Sequence, residues 1–273
     1  MTPTSADPAI GTPQLLLEDL REAPSRPPVL VQAEWLASLP WLIHGITTRR
    51  GAEGDGGDPF DLRLRGPATG AEVLPRWDAL RALSGAAAVV HSPQEHGSVV
   101  RMHGEMPPGL HLAPPCDGHA TREPDLLLTV SLADCVPIFM VEPRARLVAL
   151  LHAGWRGAAE GILESGLEAL EDHFGVGAED VSVHLGPAIG AASYEVGPEV
   201  HAALGLPVPS GPSPLDLRAV LADRCLRAGV SPAALSISQR DTREDPLLFS
   251  HRGGDQGRHV AFIGIRNRPG GRK

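Results

Sequence analysis

Residues 126–157 read LLLTVSLADCVPIFMVEPRARLVALLHAGWRG, and the reading of this stretch decides the fold. Three apolar runs, Leu126 to Val130, Ile138 to Val141 and Leu147 to Leu151, are too short for helices and are broken by turn-forming residues. They predict short buried strands. A turn at Pro143 to Arg146 closes the last two runs into a hairpin, whose far ends then bring Cys135 and His152 together. Pro137 discourages helix at Val136 and marks a bend, which places Cys135 at a loop tip leading into the strand.

Outward from this core, strand and helix patterns continue to mix. Ala88 to Val90 reads as another short strand upstream, as do Val181 to Leu185 and Leu235 to Ser238 downstream. Leu163, Leu167, Leu170 and Phe174 recur on one face of a helix, which Gly175 ends. Leu215 to Gly229 predicts a second helix with Leu217, Leu221 and Leu226 inward. The fold class expected is α+β, with mixed β-sheets and flanking helices in a single domain over residues 29–273. Residues 1–28, rich in Pro, Ala, Ser and Thr, read as a loose tail in which Leu15 to Leu20 suffices for one turn of helix. Loops are expected at Gly51 to Pro59, at 104–118 and at 205–214, where Pro and Gly crowd. There is no internal repeat.

The charge balance narrows the partners. With 24 basic and 33 acidic residues the net charge is −9, which repels nucleic acid and anionic membrane surfaces. A phosphate-bearing ligand then needs a local arginine cluster set against that field. No apolar run approaches the roughly 20 residues that span a bilayer. The three cysteines, Cys116, Cys135 and Cys225, cannot all pair, which fits a reduced, cytoplasmic setting. Cys116 and Cys225 are read as structural.

Chemistry concentrates at the strand ends. A Cys beside a His serves either as an imidazole-activated thiolate nucleophile or as a shared pair of metal ligands. His96, in Gln94-Glu95-His96-Gly97 after the strand at 88–90, adds a third donor near another strand end. His96, Cys135 and His152 make a three-ligand zinc set that leaves a fourth position open, as in catalytic sites. The segment His152-Ala153-Gly154-Trp155-Arg156-Gly157 also opens a helix, where Arg156 can make a bidentate anion contact. Thr48-Arg49-Arg50-Gly51 offers a second such contact. The other ten histidines receive no role.

Taken in order, Gln94-x-His96-Gly97, Ala133-Asp134-Cys135-x-Pro137 and His152-Ala-Gly-Trp-Arg156-Gly157 resemble the YfiH-like family, whose members are also called laccase-domain proteins, multicopper polyphenol oxidases or purine nucleoside phosphorylases. The likeness extends through His44-Gly-Ile-Thr-Thr-Arg49, Gly186-Pro-Ala-Ile-Gly190, Tyr194-Glu-Val-Gly197 and Phe249-Ser-His-Arg252. It implies a YfiH-like α/β fold and a zinc held by His96, Cys135 and His152. It also implies phosphorolysis of adenosine, inosine and S-methyl-5′-thioadenosine to a free base and a ribose 1-phosphate, together with deamination of adenosine. Arg49 and Arg156 match family arginines and become the phosphate candidates. The chain departs from the family pattern at Glu95, at Asp61-Leu62-Arg63-Leu64 and at Asp241-Thr242.

For deamination, a zinc-activated water would attack C6 of adenine, with Asp134 as the candidate proton shuttle or the partner of a ligand His. A copper-dependent, laccase-like oxidase is the first rival. Copper outcompetes zinc in the usual affinity order, so it can enter such a site in vitro. A multicopper oxidase, however, needs about ten His ligands largely in His-x-His pairs, and this chain has none. A Cys-His hydrolase, with Cys135 as nucleophile and His152 as base, and a peptidoglycan editing factor whose zinc braces loops are the others.

Overall fold

The computed structural model describes residues 12–23, 26–51, 59–64 and 69–267. In chain order the first half forms β1 (Gln14–Leu16), β2 (Asp19–Ala23), β3 (Arg26–Val31), α1 (Ala33–Ser38), β4 (Leu42–Thr47), α2 (Gly70–Ser84), β5 (Ala88–His91), β6 (Val100–His103), β7 (Gly109–Leu112), β8 (Gly118–Thr121) and β9 (Leu126–Leu132). The second half forms β10 (Val136–Glu142), β11 (Leu147–Ala153), α3 (Trp155–Ala159), α4 (Ile162–Phe174), β12 (Ser182–Leu185), β13 (Glu195–Val196), α5 (Pro198–Ala203), β14 (Ser213–Pro214), α6 (Leu217–Arg227), β15 (Leu235–Ser238) and β16 (His259–Ile265).

Two seven-stranded sheets hold all of these strands except the β13–β14 ribbon, in the orders β1-β15-β12-β10-β11-β8-β6 and β2-β3-β4-β16-β9-β5-β7. Both are mixed, as the sequence predicts: β10 runs antiparallel to β11 and β12, whereas β12–β15 and β5–β9 are parallel. The sheets pack face to face. Alternate residues of β10 and β11 show how: Phe139, Val141, Val148 and Leu150 meet Leu126, Leu128, Val130 and Leu132 of β9. Ile138, Met140, Ala149 and Leu151 face the other way, against α3, α4 and α6. On the outer side of the second sheet Leu127 packs with Val73, Trp77 and Leu80 of α2. The result is four layers, helix–sheet–sheet–helix. Because β10 and β11 are buried on both faces, their sequences run continuously apolar instead of alternating.

The predicted hairpin forms in register, with Pro137 opposite His152 and Val141 opposite Val148. The helix ending at Gly175 is α4, and that glycine takes a left-handed conformation (φ 67°) as its cap. In α6, Leu217, Leu221 and Cys225 are buried while Leu226 is only half-buried.

Three expectations change. Within residues 1–28, Gln14–Leu16 pairs parallel with β15 and Asp19–Ala23 pairs antiparallel with β3, so this part is edge strand rather than loose tail or helical turn. The reason is polar. Glu18, between the two strands, is buried, and its carboxylate accepts a hydrogen bond from Ser238 (2.9 Å) and pairs with His184 (3.1 Å). The loop-rich stretch 104–118 contains β7, which runs parallel to β5 at the sheet edge, and 205–214 ends in β14. The helix α2 has no counterpart in the sequence reading. Most of the expected Gly51 to Pro59 loop, and the tail before residue 12, lie outside the described residues.

Candidate metal centre

The site sits where the chain crosses between the sheets. β9 belongs to one sheet and β10 to the other, and Ala133-Asp134-Cys135 makes the crossing with Asp134 at φ 86°. His152 lies near the end of β11, opposite Pro137. His96 hangs in the loop after β5 and holds φ 62°. A non-glycine residue in this left-handed region carries backbone strain of order 1–3 kcal/mol, which persists only where the surroundings enforce it.

Those surroundings are identifiable. The Gln94 amide imitates a strand partner: it donates to Ser131 O (2.9 Å) and accepts from Ser131 N (2.7 Å). The buried Asp117 carboxylate accepts from three consecutive backbone N–H groups, those of Glu95, His96 and Gly97, each at 3.0 Å. The same carboxylate bonds His152 Nδ1 at 2.8 Å, and the Asp117 carbonyl accepts from His152 N at 2.7 Å. The two glycines of the helix opening let α3 close on this loop. A Cβ on Gly154 would stand 2.8 Å from His96 Cδ2 and 3.1 Å from Cys135 Sγ, and one on Gly157 would stand 2.9 Å from Gly97 O.

The outcome is that donor atoms of His96, Cys135 and His152 all lie within 4.8 Å of one another, the arrangement that the sequence predicts. The His96 and His152 rings meet edge to face, 4.8 Å between centroids. Asp117 fixes Nδ1 of His152 and leaves Nε2 for an ion, the carboxylate–histidine–metal relay of known metal sites. Burial opposes charge on both Cys135 and His152, but each favours the ionised form of the other. With His96 adding to the effect on the thiol, Cys135 is brought down to about 6; with Asp117 adding to the effect on the imidazole, His152 is held well above its ordinary value. Two imidazoles and a thiolate suit a borderline-soft transition-metal ion.

Asp117 is the residue that sequence reasoning missed. The place foreseen for Asp134, as partner of a ligand His, belongs to Asp117. Both carboxylate oxygens of Asp134 are engaged elsewhere, by Thr242 Oγ1 (2.7 Å) and Arg252 N (2.7 Å), so it fastens two loops to the crossing segment.

A cleft of about 760 Å³ opens over the donors, within the range of small-molecule sites. Trp155 and Tyr194 line it, as do Arg63, Arg156, Arg252 and Arg258. Arg156 lies over the Trp155 ring (4.4 Å) and Arg252 over Tyr194 (5.2 Å). Arg49 is not in the lining. It pairs with Asp255 (2.6 Å) and lies over Phe249 (5.0 Å), so of the two expected phosphate arginines the structure brings only Arg156 to the cleft. Arg63, Arg252 and Arg258 had no role in the sequence reading, since arginines scattered over the chain carry no pattern that announces a shared wall.

The sequence profile of a family described as multi-copper polyphenol oxidoreductase laccase matches residues 43–266. The chain belongs to this YfiH-like, laccase-domain family. The YfiH-like chain is 34% identical over 256 residues to the purine nucleoside phosphorylase YlmD of Geobacillus stearothermophilus, covering 82% of itself and 90% of that relative. It is 33% identical to a purine nucleoside phosphorylase of Deinococcus radiodurans, with 83% and 90% covered. Among solved structures, that of YlmD from Geobacillus stearothermophilus superposes with a TM-score of 0.81 at 30% identity, covering 92% of this chain and all of that one. The YfiH protein of Bacillus licheniformis gives 0.79 at 26% identity, with 90% and 99% covered. Among the described residues of the YfiH-like chain, His, Cys and carboxylate donors converge in one group only, that of His96, Cys135 and His152. No helix among them is long and apolar enough to cross a membrane.

Proposed function

We propose that the chain is a zinc-dependent purine nucleoside phosphorylase that takes adenosine, inosine and S-methyl-5′-thioadenosine with phosphate to a free base and the corresponding ribose 1-phosphate, and that also deaminates adenosine. The observation that carries this reading is the His–Cys–His group at the base of an arginine-lined cleft, in a chain whose relatives are named purine nucleoside phosphorylases.

His96, Cys135 and His152 would hold the zinc, with Asp117 setting the tautomer of His152. When bound, zinc with three protein ligands supplies Lewis-acid chemistry at an open fourth position. Arg156, on the first turn of α3 and exposed, supports capture of phosphate in a chain of net charge −9. Trp155 and Tyr194 give the purine apolar faces to rest on. Phosphorolysis breaks the C1′–N9 bond, whose electron pair leaves with the purine, and a phosphate oxygen bonds to C1′. Arg156 therefore acts by holding the anion against C1′, which converts a bimolecular encounter into a positioned one. Asp134 supports the reaction by fixing the loops that carry Thr242 and Arg252, and Arg49 by holding the 249–255 turn through Asp255 and Phe249.

The partners implied are small nucleosides and phosphate. Copper fits the same donors, so oxidase turnover after copper loading would be an acquired property. The thiolate–imidazolium pair of Cys135 and His152 favours one other reading, a metal-free Cys-His hydrolase. Chromatography of phosphate-dependent hypoxanthine and adenine release decides between them. The zinc-loaded protein is expected to release base, Cys135→Ala is expected not to, and a chelator is expected to abolish turnover. Turnover that needs neither the metal nor phosphate would favour the hydrolase instead.

A further inference from the structure

The cleft has more positive charge than one phosphate requires. Four arginines line it, and the one carboxylate in the lining, Asp134, is committed to Thr242 and the Arg252 backbone. The arginines also fall into two pairs, each joining one arginine of the segment before β16, Arg252 or Arg258, to one from elsewhere in the chain. Arg156 and Arg252 stand over the neighbouring rings of Trp155 and Tyr194. Arg63 and Arg258 are gathered on another wall by a single residue, Asp61. Its carboxylate takes the Arg63 guanidinium (2.8 Å) through one oxygen and the backbone N–H groups of Arg63 (3.1 Å) and Arg258 (3.0 Å) through the other. Burial dominates the surroundings of both Tyr194 and Arg258, but the charges around them differ: Arg252 and Arg156 for the first, Arg63 and Asp61 for the second. Both also sense Cys135 and Asp134, so both pairs lie near the donor group.

Asp61 neutralises only one of the two guanidinium groups on its wall. Arg258 spends Nη1 on the carbonyls of Gln256 (3.1 Å) and Gly257 (2.8 Å), which aims the group without cancelling its charge. Arg63 is held through Nε and Nη2, and among the described residues Nη1 has no hydrogen-bond partner. A fixed, partly desolvated guanidinium pair of this kind is built for a second anion.

We propose that Arg63 and Arg258 form a phosphate subsite distinct from the one used for inorganic phosphate, and that the substrate class extends to purine nucleoside 5′-phosphates, whose 5′-phosphate occupies it. The inference rests on the phosphorylase reading. Phosphorolysis places one anion at C1′, served by Arg156 and Arg252; a second anion must then belong to the nucleoside, and C5′ is the ribose carbon that carries a phosphate furthest along the chain from C1′. The step balances as for a nucleoside: C1′–N9 breaks, an oxygen of inorganic phosphate bonds to C1′, and the base leaves with the electron pair and takes a proton from water. The products are a free purine and ribose 1,5-bisphosphate.

Isothermal titration calorimetry on the zinc-loaded protein tests this with three probes: adenosine 5′-monophosphate, adenosine and inorganic phosphate. The nucleotide is expected to bind about tenfold tighter than adenosine. Arg63→Asn is expected to remove most of that advantage while leaving adenosine and inorganic phosphate within about twofold, and Arg63→Lys to fall between. Equal affinity for nucleotide and nucleoside in the wild type would overturn the proposal. So would an Arg63→Asn variant that weakens adenosine as much as the nucleotide, or one that weakens inorganic phosphate alone, which would make this wall the co-substrate site. Should Arg63→Asn fail to fold, Arg63→Lys and the wild-type comparison decide. Failure of the phosphorylase reading shows separately, as absence of base release from nucleoside and nucleotide alike while the Arg63-dependent binding difference persists.

Discussion

Asp117 holds both sides of the metal centre with one carboxylate, orienting His152 and caging the backbone that carries His96. Asp117→Asn keeps the shape but weakens the anionic acceptor, and it is expected to lower zinc affinity about 10- to 100-fold, read by competition with a chromophoric chelator. Cys135 gives a second prediction. Its thiol is brought down to about 6, so the metal-free protein carries the thiolate at neutral pH, and alkylation of Cys135 is expected to rise through pH of about 6 and level off. Cys116 and Cys225, whose buried thiols are pushed up, are expected to stay unreacted in the native protein, and zinc to protect Cys135; peptide mass spectrometry checks all three. Gly154→Ala puts a methyl against His96 and Cys135 and is expected to abolish zinc binding while the far-ultraviolet dichroism is unchanged. The three donors were legible because each stands at a strand end beside a Gly or Pro that forces a particular chain path. Asp117 was not, since Cys116-Asp117-Gly118 reads as an ordinary turn and its work is done through backbone N–H groups 20 to 22 residues away.

At the level of elements, continuous apolar runs revealed β9, β10 and β11, and the Leu periodicity revealed α4. What escaped was held by other means. The buried positions of α2, Val73, Trp77, Leu80 and Ser84, have helical spacing, but the surrounding Ala and Leu residues and Pro75 blur the stripe. β1 and β2 are mostly exposed and are tied down by Glu18, whose partners His184, Ser238 and Arg240 come from 166 to 222 residues away. Glu18→Ala is expected to cost about 3 kcal/mol in denaturant unfolding, because it leaves the partners buried without their counter-charge. Burial raises the Glu18 carboxyl, but His184 and Ser238 outweigh it and hold the carboxyl below its ordinary value, so the unfolded chain binds the proton more readily. Stability from this contact is therefore fully present above the ordinary carboxylate range and is lost as pH falls through the folded value. The acid side of the stability profile is expected to flatten in Glu18→Gln.

Across the whole molecule, an ion bound only by the folded state adds RT ln(1 + [L]/Kd), about 2.7 kcal/mol at a hundredfold excess over Kd. Zinc is thus expected to raise the melting temperature of the wild type and to leave that of Cys135→Ala unchanged, as calorimetry can measure. A net charge of −9 set against a cleft lined by four arginines means that nucleotide and phosphate association is expected to slow as ionic strength rises. The crossing at Ala133–Cys135 carries a further consequence for the life of the chain. His96 hangs from one sheet, His152 from the other, and β16, which completes the first of these between β4 and β9, follows every other described strand in the chain. A nascent chain therefore offers scattered ligands but no finished cage until β16 has emerged, and a metal ion is expected to be held only once the two sheets have closed on each other.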